Sequence, residues 1–154
     1  MAEQIDAISL KILKILQERA RIPNVDVARK VGLAPSAVLE RIRKLESQGF
    51  IDGYEVRLNP ERFSRSLVAF IIVGIRKLTD EKAVGRRLAG IPGVQEAHYI
   101  TGEDSFLIKI RVADNQELGR FIRDEIASID AVVSTRTSVV LSTYKETAKI
   151  PIDE

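Results

Sequence analysis

Apolar residues recur every three or four positions in three successive segments near the start of the chain, which is the spacing of amphipathic helices. The first segment follows Asp6, a suitable N-cap, and runs to about Ala20. The second begins at Asn24, another suitable N-cap, and ends at Val31, and the third spans residues 35–47. Because three helices of this size can close a small core, the pattern predicts a helical domain.

The connection between the second and third helices is very short. Gly32 permits the left-handed conformation that ends a helix, Leu33 can fill the bend, and Pro35 loses no hydrogen bond at the first helical position. This chemistry is typical of a helix-turn-helix, which places its second helix in a DNA groove. The third helix taken alone is more simply a solvated helix face, but the turn and the capped helix before it favour DNA binding.

The third helix has two different sides. Val38, Ile42 and Leu45 recur on one side, with Leu39 beside them, and polar residues occupy the other. Small residues at its front can approach base edges and cations at its middle and rear can meet phosphates, as major-groove entry requires. The predicted DNA-binding residues are Asn24, Pro35, Ser36, Ala37, Glu40, Arg41, Arg43 and Lys44.

Two further helices are predicted in the second half of the chain, each at the same place in an internal repeat. Residues 88–94, Leu-Ala-Gly-Ile-Pro-Gly-Val, are echoed by residues 126–132, Ile-Ala-Ser-Ile-Asp-Ala-Val, and each copy ends a helix and starts a strand. The first of these helices runs from about residue 79 to residue 89. The second starts at Asp114, whose carboxylate can cap it while Glu117 reaches back in a capping box.

Four predicted strands complete the order strand, helix, strand, strand, helix, strand, which is the split βαβ arrangement of ferredoxin-like sheets. Such a sheet covers one face with its helices and leaves the other bare. Since the first strand is apolar on both faces, we expect a second copy of the chain to cover the bare face in a dimer. The strands are predicted at residues 67–75, 94–100, 106–112 and 132–142.

The chain is therefore predicted to be an α+β protein with two domains. Residues 1–54 form a winged-type helix-turn-helix domain, and residues 66–154 form a ferredoxin-like βαββαβ domain through which copies of the chain oligomerise. Residues 55–65 join them as a strand or linker. The alternating run from Tyr54 to Leu58 predicts a short strand there, and it could serve as a minor-groove wing or as a hinge.

Charge and composition narrow the function. The formal charge of the 154 residues is +2, and the excess lies in residues 1–60, which contain ten Lys or Arg against eight Asp or Glu. This weak bias predicts modest DNA affinity for a single copy, which oligomers would raise. The absence of cysteine fits a reducing cytoplasm, and the longest apolar run, Leu67 to Val73, is too short to span a bilayer, so no membrane partner is expected.

Catalytic chemistry is not predicted. The chain has no cysteine, no glycine-rich phosphate loop and one histidine, His98, which lies in an alternating strand and is more simply a strand residue than a metal ligand. Without a convergent acid, base or nucleophile we expect no enzyme, no catalytic residue, no metal site and no cofactor.

Two motifs carry a resemblance to a known family. Residues 21–36, followed by 40–46 and 49–54, closely resemble the helix-turn-helix of the Lrp/AsnC family, the feast/famine transcription regulators. Residues 94–141, with 100–109 at their centre, resemble the ligand-sensing domain of that family. The resemblance implies DNA-binding dimers that assemble further, often into octamers, and that respond to a small amino acid.

Two positions depart from the pattern of many members. Ala34 stands where many have a serine N-cap for the recognition helix, and losing that hydrogen bond costs about 1 kcal/mol, which the helix should survive. Ser105 stands where many have aspartate, with Asp104 one residue earlier, so the identity of the effector stays open.

An amino acid needs donors for its carboxylate and acceptors for its ammonium group in a partly shielded place. The loop between the second and third strands of the sheet offers both, and the family places this cleft where subunits or dimers meet. Without the family, the loop is more simply a hairpin turn and the threonines after it are ordinary strand formers. The predicted effector-binding residues are Thr101, Gly102, Glu103, Asp104, Ser105, Thr135, Thr137 and Ser138.

The predicted function is a sequence-specific, DNA-binding transcriptional regulator whose assembly or DNA binding responds to a small-molecule effector, with an amino acid expected. The alternative is a small-molecule-sensing assembly protein with weak or lost DNA binding, which Ala34 and the small charge excess make conceivable. The predicted partners are double-stranded DNA, the amino-acid effector and further copies of the chain, as a homodimer that assembles into an octamer.

Overall fold

The computed structural model describes residues 5–77 and 79–153, so residues 1–4 and 154 of the predicted domains lie outside the described residues. The chain forms two compact units. The first contains the residues up to Arg57 together with those from Glu146 onward, and the second contains residues 58–145. The last residues of the chain therefore group with the helices of the first unit, and not with the sheet that precedes them.

Three helices build the first unit: α1 (Ala7–Glu18), α2 (Asn24–Val31) and α3 (Pro35–Ser47). Asp6 caps α1 as predicted, because its Oδ1 accepts a hydrogen bond from the Ser9 backbone N at 2.7 Å. The helix ends slightly earlier than the sequence predicts. The order and bounds of the three helices confirm the predicted helical domain.

The turn between α2 and α3 follows the sequence closely. Gly32 has φ +73° in the left-handed region, Pro35 opens α3, and Ala34 before it makes no side-chain cap. The predicted cap of α2 is wrong, because Pro23 is the N-cap and Asn24 is the first helical residue. The fixed φ of proline, −61° here, suits the extended conformation of a cap residue, and the helix starts one residue earlier than predicted.

The core of the first unit lies between the three helices. Val38, Ile42 and Leu45 of α3 are buried in it as predicted, whereas Leu39 is 37% exposed and lies at its margin. The buried members are Ile12, Leu16, Ile22, Val27, Ala28, Val38, Ile42 and Leu45.

The segment after α3 is extended but unpaired, so the predicted strand from Tyr54 to Leu58 is not formed among the described residues. A strand requires a neighbouring backbone, and none pairs with this segment, whose Val56 and Leu58 are 84% and 61% exposed. Tyr54 instead donates its hydroxyl to Glu46 of α3 at 2.8 Å. Desolvation and this hydrogen bond raise the pKa of Tyr54 to about 12.

The second unit is a four-stranded antiparallel sheet in the order β2-β3-β1-β4, which is the ferredoxin-like arrangement that the sequence predicts. A short 3₁₀ helix, Pro60–Phe63, precedes it. Its elements are β1 (Leu67–Ile75), α4 (Glu81–Ala89), β2 (Val94–Ile100), β3 (Ser105–Val112), α5 (Asn115–Arg120, continued by a π-helical segment, Phe121–Ile126) and β4 (Val132–Val139).

The start of α5 confirms the predicted capping box with a small change. Asp114 Oδ1 accepts from the Glu117 backbone N at 2.8 Å, and Glu117 reaches back to the backbone N of Ala113, one residue beyond the usual partner. The π-helical segment was not predicted. Its wider turn lets Phe121 and Ile126, five residues apart, both face the core.

The sheet has two unlike faces. Both helices pack on one face, which carries the core of the unit. The opposite face carries Phe70 beside Lys109 and Ile72 beside Leu107, and these apolar side chains are only half buried. The core face is lined by Ala69, Ile71, Val73, Ile75, Phe106, Ile108, Ile110 and Val112 from the strands and by Val84, Leu88, Leu118, Phe121 and Ile126 from the helices.

Candidate DNA interface and ligand-binding region

The outer side of α3 is a polar surface held in place by the buried side. Pro35, Ser36, Glu40, Arg43 and Lys44 are all exposed, and the half-buried Ala37 lies among them near the front of the helix. Since an α-helix rises 1.5 Å per residue, the distance from the small front residues to the rear cations is roughly 11 Å. Seven of the eight predicted DNA-binding residues thus share one helix, and Asn24 lies half buried in the first turn of α2.

Arg41 differs from the other predicted contacts of α3 because its guanidinium is bound inside the first unit. Its Nη1 lies 2.5 Å from Asp6 Oδ2 and donates to Ser9 Oγ at 3.0 Å. The hydrogen bond from Arg41, followed by that from the Ser9 backbone, lowers the pKa of Asp6 to about 2. Arg41 therefore joins α3 to the capped start of α1, a role that the sequence did not reveal.

The loop between β2 and β3 is a tight turn. Gly102 has φ +108°, a backbone conformation that residues other than glycine rarely adopt. The backbone O of Asp104 accepts from the Ile75 backbone N at 2.8 Å, so the end of the loop is fixed to the end of β1. The loop is therefore a hairpin turn, and it also presents acidic side chains at the edge of the sheet.

Tyr99 is a neighbour of the loop that sequence reasoning missed. Its hydroxyl donates to Asp104 Oδ1 at 3.2 Å, and its ring packs on Phe106 with the ring centroids 5.1 Å apart. Desolvation, with the hydrogen bond to Asp104 second, raises the pKa of the Tyr99 hydroxyl. The only sequence signal was an aromatic residue two positions before the loop, on a strand already assigned to the sheet.

The register of β4 separates the hydroxyl residues predicted to share one cleft. Thr135 and Thr137 pair with Val73 and Ile71, so they lie at the edge of the helix-covered face, whereas Ser138 pairs with Phe70 on the opposite face. Three side chains on two faces cannot line one cleft by themselves. The structure therefore keeps Thr135 and Thr137 on one face but separates Ser138 from them.

A row of small residues crosses the sheet from the loop to β4. Ser105, only 3% exposed, pairs with Gly74, and Gly74 pairs with Ser134 on its other side. A side chain at position 74 would collide with Ser134 Oγ. Ser134 is thus the β4 residue aligned with the loop, and Ser138 lies four residues or about 13 Å farther along the strand.

His98 belongs to a charged group on the opposite sheet face. Its Nε2 lies 3.3 Å from Glu96 Oε2, and Lys109 Nζ lies 3.4 Å from Glu96 Oε1. Lys109 is only 8% exposed, because Phe70 and neighbouring strand residues surround its stem. No cluster of three or more potential metal ligands occurs among the described residues, and no described helix is long and apolar enough to cross a membrane.

Two family models together match most of the chain. The winged helix-turn-helix DNA-binding model matches residues 5–52, and the Lrp/AsnC ligand-binding domain model matches residues 68–150. The chain is 38% identical to the HTH-type transcriptional regulator FL11 of Pyrococcus horikoshii, with 99% of each chain covered. It is 37% identical to the leucine-responsive regulatory protein of Haemophilus influenzae, with 93% of this chain and 87% of the relative covered.

Solved structures give the same answer. A transcriptional regulator of Neisseria meningitidis, solved in complex with L-Met, superposes with a TM-score of 0.90 at 33% identity and covers 96% of this chain and 97% of its own. Escherichia coli AsnC superposes with a TM-score of 0.87 at 26% identity, covering 97% and 100%. The relatives are named as regulators, in agreement with the expectation of a protein that is not an enzyme. The chain belongs to the Lrp/AsnC family and is a DNA-binding transcriptional regulator with a ligand-binding domain.

Proposed function

We propose that this regulator binds duplex DNA as a homodimer that presents two copies of α3, and that an amino acid bound in the second unit alters its assembly or its DNA affinity. The observation that carries the proposal is the division of α3 into a buried apolar side and an exposed polar side. A recognition helix needs this division, because it must be anchored from behind while its outer side enters the major groove.

The outer side of α3 supplies two kinds of contact. Ser36 and Ala37 are small enough to let the front of the helix approach base edges, and Arg43 and Lys44 meet phosphates at the rear. Because Ala34 supplies no side-chain cap, the first-turn amides can donate to a phosphate oxygen instead. The departure from the usual serine cap is then compatible with DNA binding.

The effector site is assigned to the loop between β2 and β3. The Asp104 carboxylate, oriented by the Tyr99 hydroxyl, accepts from the ammonium group of the amino acid, and the loop amides around Gly102 donate to its carboxylate. The Neisseria meningitidis regulator solved with L-Met supports an amino acid as the effector class. Of the β4 residues, Ser134, which the row of small residues aligns with the loop, is the best placed to complete the site.

The half-buried apolar side chains on the uncovered sheet face support self-association. Phe70, Ile72 and Leu107 form the centre of this face, and a second copy would cover it with the same surface in a twofold dimer. Dimers then assemble further, with an octamer as the proposed form, and two recognition helices of a dimer read half-sites about one helical turn apart.

The proposed function is tested by measuring DNA binding with and without each of the twenty amino acids. The full chain first selects duplexes from a random library, and fluorescence anisotropy then gives its affinity for the selected duplex. We expect at least one amino acid to change this affinity or the size of the bound complex. No change with any amino acid would contradict the effector class, and failure to select any duplex would contradict DNA binding.

Asp104→Asn is the matched variant for the effector. It keeps the shape and the capacity to accept from Tyr99 but removes the negative charge that the ammonium group needs. The affinity for the effector, measured by calorimetry, should fall by at least about tenfold, the usual effect of losing a charge-assisted hydrogen bond. Glu103→Gln makes the same change one residue earlier, and an equal loss there would move the acceptor to Glu103.

The alternative of an assembly protein that has lost DNA binding is not favoured. The relatives of this chain match it along almost its entire length, including all three helices of the first unit, and they are named as regulators.

A further inference from the structure

The C-terminal residues return to the first unit after completing the sheet. Beyond β4 the described chain contains no further helix or strand, and residues 146–153 group with α1, α2 and α3. The two units are therefore joined covalently twice, once where residue 57 meets residue 58 and once where residue 145 meets residue 146. We call residues 146–153 the tail.

Gln17 near the end of α1 holds the tail by its backbone. Its Nε2 donates to the Ile150 backbone O at 3.0 Å, and its Oε1 accepts from the Ile150 backbone N at 2.7 Å. Next to it, Lys149 Nζ lies 2.8 Å from Glu18 Oε2. We call Gln17 and Glu18 the tail seat.

The chemistry of the seat matches the tail on three counts. A carboxamide presents one donor side and one acceptor side, which is what the N–H and C=O of a single extended residue require. Pro151 favours an extended backbone at Ile150, so the tail already has the conformation that this contact requires before it binds the seat. Lys149 approaches the last turn of α1, where the helix dipole favours a cation.

The contact between the tail and the tail seat is of a kind that can break and form again. Lys149 and Glu18 remain 47% and 72% exposed, and the side chain of Ile150 is also largely exposed. Hydrogen bonds and ion pairs that compete with water contribute little each. The seat thus holds the tail through a few specific but individually weak contacts, and no large apolar surface must be uncovered to release it.

The other connection between the units, like the chain after β4, contains no helix or strand. Residues 52–59 contain neither helix nor strand, and fully extended they could span up to about 28 Å. A single linker of this kind leaves the DNA-binding unit a wide range of poses, whereas a second attachment narrows the range. For a protein that reads two half-sites at once, fewer poses raise the effective concentration of the second α3 once the first has bound.

We propose that the tail is a releasable second tether, and that its attachment to the tail seat sets how the DNA-binding unit is presented to paired half-sites. The attachment itself stands on the contacts of Gln17 and Glu18 alone. Its consequence for DNA rests on the proposed function. The tail seat is therefore a binding surface of the regulator whose occupant is the C-terminal segment of the same chain.

The attachment is tested first without DNA, by hydrogen exchange of the full-length protein. Gln17→Glu replaces the donor to Ile150 with a second acceptor, and Ile150→Pro removes the N–H of Ile150 while leaving the seat intact. In Gln17→Glu the peptide covering the tail should exchange at least about fivefold faster than in the wild type, as the loss of a net hydrogen bond predicts. Ile150→Pro lacks the Ile150 amide itself, so its effect is measured at the neighbouring Lys149 amide, which should also exchange faster. Gln116→Glu makes the same charge change on an exposed position of α5 and should leave tail exchange unchanged.

Two outcomes would overturn the attachment. One is tail exchange that is equally fast in the wild type and in Gln17→Glu, which would mean that the tail is not held in solution. The other is failure of a charge exchange, Glu18→Lys with Lys149→Glu, to reverse the faster exchange that Glu18→Lys alone should cause. The variants remove no buried apolar residue, and circular dichroism verifies that the helices remain.

The consequence is tested with selected duplexes that carry either one half-site or two. Gln17→Glu should bind the two-site duplex about three to ten times more weakly than the wild type and the one-site duplex equally well, because only simultaneous binding uses the tether. Gln116→Glu should match the wild type on both. Equal two-site affinity in Gln17→Glu, or a loss that follows a change in oligomer size by light scattering, would overturn the tether.

A failure of the proposed function can be distinguished from a failure of the tail attachment. If the wild type binds neither duplex, DNA binding is contradicted, but the exchange measurements still decide whether the tail is attached to α1.

Discussion

Arg41 lies on the recognition helix, but its side chain binds residues at the start of another helix in the same domain. By its position in the sequence it lies at the edge of the outer side of α3, among residues that we expect to meet DNA. Its guanidinium is bound to Asp6 and Ser9 at the start of α1, more than thirty residues away in the chain. Periodicity describes only the helix that carries a residue, so it could not predict a partner on another helix. We assign Arg41 to positioning α3.

The Asp6–Arg41 pair should make the stability of the first unit depend on acid. The pKa of Asp6 is lowered from 3.8 to about 2, so its contribution is complete above pH 4 and is lost as the pH falls through about 2. Because the Asp6 side chain is half exposed, screening limits the contribution to about 1 kcal/mol. Asp6→Asn keeps the cap but removes the charge, and chemical unfolding should find it less stable by this amount at pH 6.

The pH dependence distinguishes the ion pair from a general effect of substitution. The difference in unfolding free energy between the wild type and Asp6→Asn should shrink below pH 4 and vanish near pH 2. Asp52→Asn, an exposed carboxylate in the same unit, serves as the control and should change stability little at any pH. A difference for Asp6→Asn that stays constant from pH 6 to pH 2 would contradict the assigned charge interaction.

At the scale of elements, the sequence predicted what depends on local pattern and missed what depends on neighbours. The helices and strands follow from periodicity, from caps such as Asp6 and Asp114 and from Gly32. The strand expected from Tyr54 to Leu58 is not formed because no strand of the described residues pairs with it. The hydroxyl residues of β4 were predicted correctly to lie on a strand, but alternation alone does not give register, and register put Ser138 on the other face.

The register of β1 against β4 predicts a coupling between Gly74 and Ser134. A methyl group at position 74 would collide with Ser134 Oγ, so Gly74→Ala should lower the free energy of unfolding by about 1 kcal/mol, the lower range for overpacking. Ser134→Ala removes the colliding atom. In that background Gly74→Ala should be neutral or stabilising, since alanine restricts the unfolded chain more than glycine does.

A double-mutant cycle by chemical unfolding measures this coupling. The loss of unfolding free energy caused by Gly74→Ala should be smaller in the Ser134→Ala background than in the wild type, by about 1 kcal/mol or more. Additive effects of the two substitutions would contradict the proximity of Gly74 and Ser134, and with it the alignment of Ser134 with the ligand loop.

At the scale of the whole molecule, the two-unit organisation and the βαββαβ order were predictable, but the contact of the tail with α1 was not. Gln17 and Ile150 are 133 residues apart, and neither belongs to a motif. Gln17 gives no sign of its role because a polar residue on a helix surface is ordinary. The uncovered sheet face was predictable, since β1 is apolar at both odd and even positions.

Self-association through the uncovered sheet face should be sensitive to a single charge. Ile72→Asp places a short carboxylate at the centre of this face, and burying it against a second copy would leave it without a partner. Sedimentation should therefore show that the variant dissociates at concentrations where the wild type is dimeric or larger. Gln116→Asp adds the same charge at an exposed position of α5, on the helix-covered side of the sheet, and should sediment as the wild type does. Equal assembly of Ile72→Asp, with its fold retained by circular dichroism, would contradict the proposed dimer surface.

The most direct test of the central claim, that the outer side of α3 contacts duplex DNA, is the salt dependence of DNA binding. The double variant Arg43→Ala/Lys44→Ala should bind a selected duplex more weakly, and its slope of log affinity against log salt should be shallower by about 0.9 for each lost phosphate contact in each bound helix. The control Arg86→Ala/Arg87→Ala removes two neighbouring cations from α4 in the second unit and should keep the wild-type slope. An unchanged slope and affinity for the α3 variant would contradict the account.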